Sequence, residues 1–333
     1  MKLRQFFKLA GKVKLDKMLT YAKDISVKTG KPKLFILADM TWCALRYSAG
    51  YVDYSVFEFY NIDGKHRKTY ITRGINNEFI RKFNDREYWH LFDNKDEFND
   101  LFSIYLKRSW LSFLSSDADT VFDFVKRYGK VISKPRDASC GKGIIIVNAD
   151  EWNDAASLYK MLEENACGVL EEIVVQHPLM ASLYPHSVNT LRISTVANDS
   201  GVYPIYALIR MGNGGKFVDN LNSGGMAAPV DLKSGVISMP AADKNAVTYS
   251  VHPQTNAQIT GFSIPFWQEA LDMCIEGARV VPQIRYIAWD IAITEDGPLM
   301  IEGNHFPGHD IIQLPAHSPN KTGLLPLLKK HLY

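Results

Sequence analysis

The residues best suited to chemistry lie near the C-terminus, in the run from Trp289 and Asp290 to Glu302 and Asn304. The run reads as a β-hairpin, and strand side chains alternate between faces. Ile287, Trp289, Ile291 and Ile293 take one face of the first strand; Ala288, Asp290 and Ala292 take the other. On the second strand Leu299 and Ile301 are apolar partners, and Met300, Glu302 and Asn304 share the opposite face. A three-residue loop from Glu295 to Gly297, with Gly297 left-handed, sets Asp290 across from Glu302. Like charges in that position repel, and a divalent cation between them removes the repulsion. Asn304 adds a neutral oxygen, a donor set suited to Mg²⁺, which keeps waters and phosphate ligands. The alternative is a set of solvated strand residues. Three oxygen donors on one face, flanked by the small Ala288 and Ala292, weigh against it.

A second set of residues could handle phosphate. Lys134-Pro135 runs into a glycine loop, Ser139-Cys140-Gly141-Lys142-Gly143, between two strands. The Walker spacing is absent. Gly141 and Gly143 would let backbone N–H groups approach an anion, and Lys134 could reach phosphate oxygens. The following strand, Gly168 to Val174, joins two parts of the chain. Glu171 and Val174 are candidates for backbone contacts to an adenine edge. Met300, beside Glu302, would pack under the base or fill core. Arg192 and Arg210 lie on apolar strands, where an arginine needs an anionic partner. Glu172, Asp231 or a γ-phosphate could serve, and a guanidinium complements phosphate well. In the glycine-rich loop from Gly212 to Gly225, Asn220, Asn222, Gly224 and Gly225 are candidate substrate contacts. His305 and His309, directly after Asn304, could bind an acceptor or act as base, or could sit on a plain turn.

The elements that must position these groups can be outlined from the pattern. A chain of 333 residues has room for about two domains. With 46% hydrophobic and 22% charged residues it has the composition of a soluble globular protein. Four scattered cysteines lack the spacing of a zinc site. No apolar run reaches membrane-spanning length, and none follows the basic N-terminus as in a signal peptide. A reduced, cytoplasmic protein is the expectation. Residues 1–33 hold ten Lys and Arg against two Asp, with Leu3, Phe6, Phe7, Ala10 and Val13 at helical spacing. That helix could lie on an anionic membrane or dock on its own domain. The basic residues do not extend into a nucleic-acid-sized patch.

Residues 34–110 are rich in aromatics, expected to form core. Helices are expected over 34–49 and 95–114, with a strand near Lys68 to Thr72 between them. A compact α+β run follows: helix 120–128, strand 130–134, glycine loop, strand 143–147, helix 151–164 and strand 168–174. Strands over 190–197 and 202–211 come next. A helix over 265–281, with Pro265 in its first turn, precedes the hairpin.

The stretches VISKPRDASCGKGI, VLEEIVVQHP, SVNTLRIST, VDNLNSGG and WDIAITEDGPLMIEGNHFPG occur in an order that resembles the ATP-grasp superfamily. They are most similar to the sugar-transfer-associated ATP-grasp proteins of bacterial polysaccharide loci. The resemblance covers roughly residues 93–313 and extends to the aromatic region before them. It implies an α+β ATP-grasp fold, two subdomains clamping ATP, behind an aromatic-rich, partly helical N-terminal region. The boundaries are 1–110, a lid at 111–178, and a catalytic, metal-bearing part at 179–333. It implies nucleotide contacts from Lys95, Lys134, the flap residues Ser139, Gly141, Lys142 and Gly143, and the hinge Glu171, Glu172, Ile173 and Val174, with His177 just beyond. It implies a transition-state role for Arg192, with Arg210 a second candidate, and Mg²⁺ (two ions, with Mn²⁺ an alternative) held by Asp290, Glu302 and Asn304. Many relatives place a ribose-binding acid after the hinge; here Gln176, His177 and Pro178 occupy that stretch. The implied reaction joins a carboxylate to an amine through an acylphosphate, in surface-glycan modification. A phosphotransferase and a non-catalytic nucleotide-binding partner are the alternatives.

Overall fold

The computed structural model describes residues 15–138, 141–214 and 224–332. The basic amphipathic stretch at 1–14, Ser139, Asn220 and Asn222 lie outside the described residues. The chain forms two compact units, one of residues up to Lys82 together with Gly308 onward, the other of Phe83–Pro307.

The first unit is helical. Helices α1 (Leu15–Thr29) and α2 (Lys33–Tyr47) bury Ala22, Ile25, Ile36, Met40 and Cys43 among Tyr54, Phe57, Phe59, Tyr60 and Tyr70. The aromatics of this region are therefore core, with Phe57 and Tyr70 ring centroids 5.1 Å apart. Arg67 clamps Asp39 with two 2.7 Å hydrogen bonds inside this packing. No strand forms over Lys68 to Thr72. The extended backbone pairs instead with one side chain: the Ile71 N–H donates to Gln313 Oε1, and Gln313 Nε2 donates to the Ile71 carbonyl, both at 2.9 Å. A buried amide thus satisfies the backbone groups that a neighbouring strand would otherwise serve.

The second unit holds two antiparallel sheets. The smaller has the order β1-β4-β2-β3, from β1 (Trp110–Ser112), β2 (Lys130–Pro135), β3 (Ile145–Asn148) and β4 (Cys167–Glu172). Helices α4 (Ala118–Tyr128) and α5 (Ala155–Glu164) complete its core with Val121, Val125, Leu158 and Leu162. Each starts on an aspartate N-cap, Asp117 and Asp154, whose carboxylate accepts a backbone N–H three residues on. The helix expected over 95–114 stops early. Its first part is α3 (Lys95–Leu101), a short turn follows, and Lys107 adopts a left-handed φ of 47°. The chain then reverses and Trp110–Ser112 pair with β4 as an edge strand. The expected boundary after residue 110 falls inside β1 and that at 178 lies beyond β4, whereas the compact units divide after Lys82 and after Pro307.

The larger sheet has the order β11-β10-β5-β6-β7-β8-β9. Its members are β5 (Thr190–Asn198), β6 (Gly201–Met211), β7 (Met226–Val230), β8 (Ala241–Asp243), β9 (Thr248–Tyr249), β10 (Tyr286–Thr294) and β11 (Gly297–Asn304). The short helix α6 (Pro178–Leu183) precedes β5. Helix α7 (Trp267–Val280) covers one face, where Leu271, Cys274 and Ala278 join Ile193, Ile209, Trp289 and Ile291 in the main core. It begins two residues after Pro265, because Phe266 takes a left-handed φ of 52°.

Candidate active site

The β10–β11 hairpin does set Asp290 opposite Glu302, by a different device from the one the turn residues suggest. Thr294 pairs with Gly297, so the loop holds only Glu295 and Asp296. That register would put Asp290 opposite Ile301. A bulge between the Asp290 and Ile291 pairs inserts Ile301 as an extra residue, and Asp290 then faces Glu302 and Ala288 faces Asn304. A bulge beside a site re-aims side chains. It also changes which side chains share a face. Met300 pairs with Ile291 and is fully buried in the main core, its Cε near Gly277 of α7. Met300 therefore does not sit under a base: the alternation rule failed at the bulge, and core filling explains the residue. Gly303 lies across from Trp289, where a Cβ would come within 2.9 Å of the indole and 3.0 Å of Phe92 and Phe98.

The anionic partner of both arginines is Asp290, not Glu172 or Asp231. Arg192 grips it with two bonds, Nε to Oδ1 at 2.8 Å and a terminal nitrogen to Oδ2 at 2.7 Å. Arg210 adds a third at 2.9 Å and also donates to Thr190 Oγ1. Sheet register explains the meeting, since Asp290 pairs with Arg192 and Thr190 with Arg210. Asp290 is buried at 1% exposure. Burial by itself would raise its pKa, but the two guanidinium groups hold it below the usual carboxylate range. Glu302 is half-buried and shifts the other way, raised by burial and by the Asp290 charge. One hairpin thus carries a firmly ionised acid and a reluctantly ionised one.

Glu302 opens onto a cavity of about 240 Å³ that gathers residues from distant parts of the unit. Lys95, Lys134, Glu171, Glu302, Asn304 and His305 all line it. Lys95 starts α3 and donates from Nζ to the Ala138 carbonyl at 2.6 Å; burial lowers its pKa, opposed by Glu302. Lys134 stands one residue before the end of β2 and meets Glu171 at 2.6 Å. His305 packs against Trp89 at a tilt of 38° with ring centroids 4.9 Å apart; burial lowers its pKa, opposed by Asp93, and so favours the neutral ring.

Several expected contacts are placed elsewhere. β4 is flanked by β1 and β2, so the Glu171 backbone belongs to the sheet ladder and cannot read an adenine edge. Its side chain contributes instead. The Glu172 carboxylate accepts from the Ser109 N–H at 3.1 Å. The chain leaves the sheet beyond Glu172, so of the four residues expected to form the hinge only Ile173 and Val174 lie outside the ladder. His177 is the N-cap of α6, its Nδ1 accepting from the Leu179 N–H at 3.1 Å, and it does not line the cavity. Gln176 bonds the backbone of Tyr184, Ser187 and Asn189. His309 belongs to the helical unit, where Nε2 lies 3.2 Å from Asp53 Oδ1. Gly141 and Gly143 have left-handed φ values of 72° and 71°, as a tight flap requires. Neither they nor Lys142 line the cavity, and Gly224 and Gly225 lie outside it.

Sequence reasoning missed Arg108. Its side chain is 3% exposed; Nε and one terminal nitrogen donate to Glu171 Oε2 at 3.0 and 2.8 Å. The same guanidinium donates to the carbonyls of Met300 and Ile301, the residues of the bulge. Arg108 thus ties β4 to the irregular part of β11. With Lys134 it outweighs burial and holds the Glu171 pKa at about 2. A basic pair before a strand gives no pattern from which this could be read. Asn99, which donates to Glu171 Oε1 at 3.2 Å, was equally silent.

The residues present fit a magnesium–phosphate ligand in part. Glu302 and Asn304 offer hard oxygen donors to a cavity that also receives two lysines, the donor set such a group needs. Asp290 fits less well, since both its oxygens already accept from guanidinium nitrogens. Among the described residues no three His, Cys, Asp or Glu side chains converge as a metal cage.

Residues 74–331 match the family described as sugar-transfer associated ATP-grasp. No curated protein matches. Among solved structures, the chain is similar to the ATP-grasp ligase PsnB in complex with its minimal precursor, at 15% identity and a TM-score of 0.44, over 75% of this chain and 63% of that one. D-alanyl-alanine synthetase A from Vibrio cholerae gives 14% identity and 0.42, over 73% and 61%. D-cycloserine synthetase DcsG gives 13% and 0.42, over 74% and 72%. The chain spans about three fifths of the length of the first of these. With an α+β fold whose two antiparallel sheets follow a helical, aromatic-rich region in sequence, and a family match over most of its length, the chain belongs to the sugar-transfer associated ATP-grasp family.

Proposed function

We propose that the protein is an ATP-dependent ligase that joins a carboxylate to an amine, the carboxylate being carried on a sugar of a surface or envelope glycan. The observation that supports this reading most is the convergence of Lys95, Lys134, Glu302, Asn304 and His305 on one cavity, beside the arginine-bound Asp290. The four-stranded sheet and its flap, residues 111–178, serve as the lid. The part from 179 carries the metal-facing hairpin.

In this reading ATP is a substrate. The substrate carboxylate attacks the γ-phosphorus, giving an acylphosphate and ADP; the amine then attacks the acyl carbon, expels phosphate and forms the amide. Lys95 and Lys134 bind phosphate oxygens, and Lys134 gives up part of its pairing with Glu171 to do so. Glu302 and Asn304 would hold Mg²⁺, which when bound neutralises phosphate charge. Asp290 fixes Arg192 and Arg210 on the same sheet face, where their preorganised positive charge can meet charge developing on the transferred phosphoryl group. Neutral His305 can accept the proton released when the amine attacks. The flap excludes water from the acylphosphate.

The test is ADP release over a matrix of carboxylates and amines, with hydroxylamine added as a trap. A hydroxamate formed in step with ADP supports the reading. ADP formed with no hydroxamate, and with phosphate recovered on a hydroxyl, replaces it with a phosphotransferase. No turnover with any pair, despite tight ATP binding, would favour a non-catalytic nucleotide-binding protein.

A further inference from the structure

Helix α2 is apolar on two opposite faces. One face buries Ile36, Met40 and Cys43 in the helical unit. The other exposes Leu34 at 81%, Phe35 at 57%, Trp42 at 56% and Leu45 at 39%. With the exposed Ala38 between them, these positions fall within one arc of about 100° at 100° per residue. A helix apolar on both sides is ordinarily covered on both. An exposed stripe of this kind, holding a tryptophan, a phenylalanine and two leucines, marks an interaction surface.

Charge along the sequence on either side of this helix points to the occupant. The first 50 residues hold eleven Lys and Arg against three Asp, a net +8, in a chain whose total is +2. The remaining residues are therefore net −6. On α2 the exposed Lys33 and Arg46 stand near the two ends, and its one acid, Asp39, is neutralised by Arg67. A second copy of the chain meeting this face to face would set the like charges Lys33 and Arg46 against the same residues of its partner, which disfavours association. An anionic bilayer surface suits both features: apolar and aromatic side chains enter the headgroup boundary, and the basic residues stay among the headgroups.

We propose that the exposed face of α2 rests on anionic lipid, with Phe35 and Trp42 as its main anchors. The contact extends beyond the basic N-terminal stretch that the sequence alone singles out, and it stands independently of the ATP chemistry. It makes no span, since among the described residues no helix is long and apolar enough to cross a membrane.

Co-sedimentation of the full chain with two vesicle types tests the idea: phosphatidylcholine alone, and phosphatidylcholine with about one third phosphatidylglycerol. Binding is expected to the anionic vesicles, weakened by salt, and not to the neutral ones. The double variant Phe35→Ser/Trp42→Ser should bind them at least about tenfold less, the effect of losing even one large buried apolar side chain. Its melting temperature and affinity for an ATP analogue should match the parent. Undiminished vesicle binding by this variant would overturn the proposal, leaving the basic residues alone responsible. So would a parent protein that ignores anionic vesicles but dimerises in sedimentation velocity, with the dimer lost in the variant.

Discussion

Asp290→Asn and Glu302→Gln each neutralise one acid of the same facing pair, and the structure predicts very unequal effects on stability. From the sequence alone, both should end turnover and leave the fold intact. Asp290, however, is buried and is the shared anion of Arg192 and Arg210 through three hydrogen bonds. Asparagine keeps the shape but removes the charge and turns an N–H₂ group toward guanidinium donors. Removing one partner of a buried ion pair costs about 3–5 kcal/mol. For a unit of this size about 1 kcal/mol moves the melting temperature by about 2–4 °C, so Asp290→Asn should melt about 6–20 °C lower. Glu302 is half-buried and already disfavoured as an anion by burial and by Asp290. Glutamine there relieves a like-charge contact, and stability should stay within about 1 kcal/mol of the parent. Nucleotide-dependent ADP release should vanish in both. Calorimetric melting, with ADP release measured on the same samples, decides the matter. An Asp290→Asn protein melting within about 2 °C of the parent refutes the arginine clamp. A Glu302→Gln protein that keeps turnover refutes Glu302 as the metal-facing acid.

Other consequences can be checked more briefly. Arg108→Met should destabilise the protein by about 3–5 kcal/mol, since it strands the buried Glu171 carboxylate; Arg108→Lys should restore only part of this, because an ammonium cannot fork between Glu171 and two carbonyls. Both should weaken binding of an ATP analogue by calorimetry. The Glu171 pKa falls from 4.5 to about 2 on folding, which corresponds to about 3 kcal/mol of stability. Its folded value lies below its unfolded one, so this stability is present above about pH 4.5 and is lost as pH falls from there toward 2. Urea midpoints measured across that window should decline less in Glu171→Gln than in the parent. Gly303→Ala should cost about 1–3 kcal/mol by overpacking against Trp289, Phe92 and Phe98, read from a denaturant curve. Burial raises the thiol pKa of Cys43 to about 12 and of Cys167 to about 11, and raises that of Cys274 as well. Ellman's reagent at pH 8 should leave these three unreacted until the chain unfolds.

What could be read from the sequence follows the range of the forces involved. Strands β5, β6, β10 and β11 and helices α4 and α7 show in local hydrophobic period and turn residues, and they form close to the expected places. The candidate ligands Glu302 and Asn304, and Lys134 with them, were legible by type and spacing, Lys95 only through the family resemblance, and all four line one cavity. Features set by partners far along the chain were not. Gln313 satisfies Ile71 across 242 positions and suppresses a strand. Asp53 meets His309 across 256 positions, within the helical unit. Arg108 reaches Met300 across 192 positions. Periodicity carries no information about such pairs.

The bulge at Ile301 shows how such a pair can govern the site. A regular two-residue hairpin would put Ile301 opposite Asp290 and turn Glu302 toward the α7 core, because a shift of one residue exchanges the faces of a strand. The extra residue reverses this from Glu302 onward, so Glu302 and Asn304 face the cavity while Met300 stays in the core. Bulges leave backbone groups outside the ladder, and Arg108 donates to the two carbonyls at this irregularity. The same guanidinium holds Glu171, which in turn holds Lys134. One arginine outside every recognisable motif therefore links the register of the strand that carries Glu302 to the orientation of Lys134. That coupling explains why Arg108 should affect nucleotide binding without itself lining the cavity.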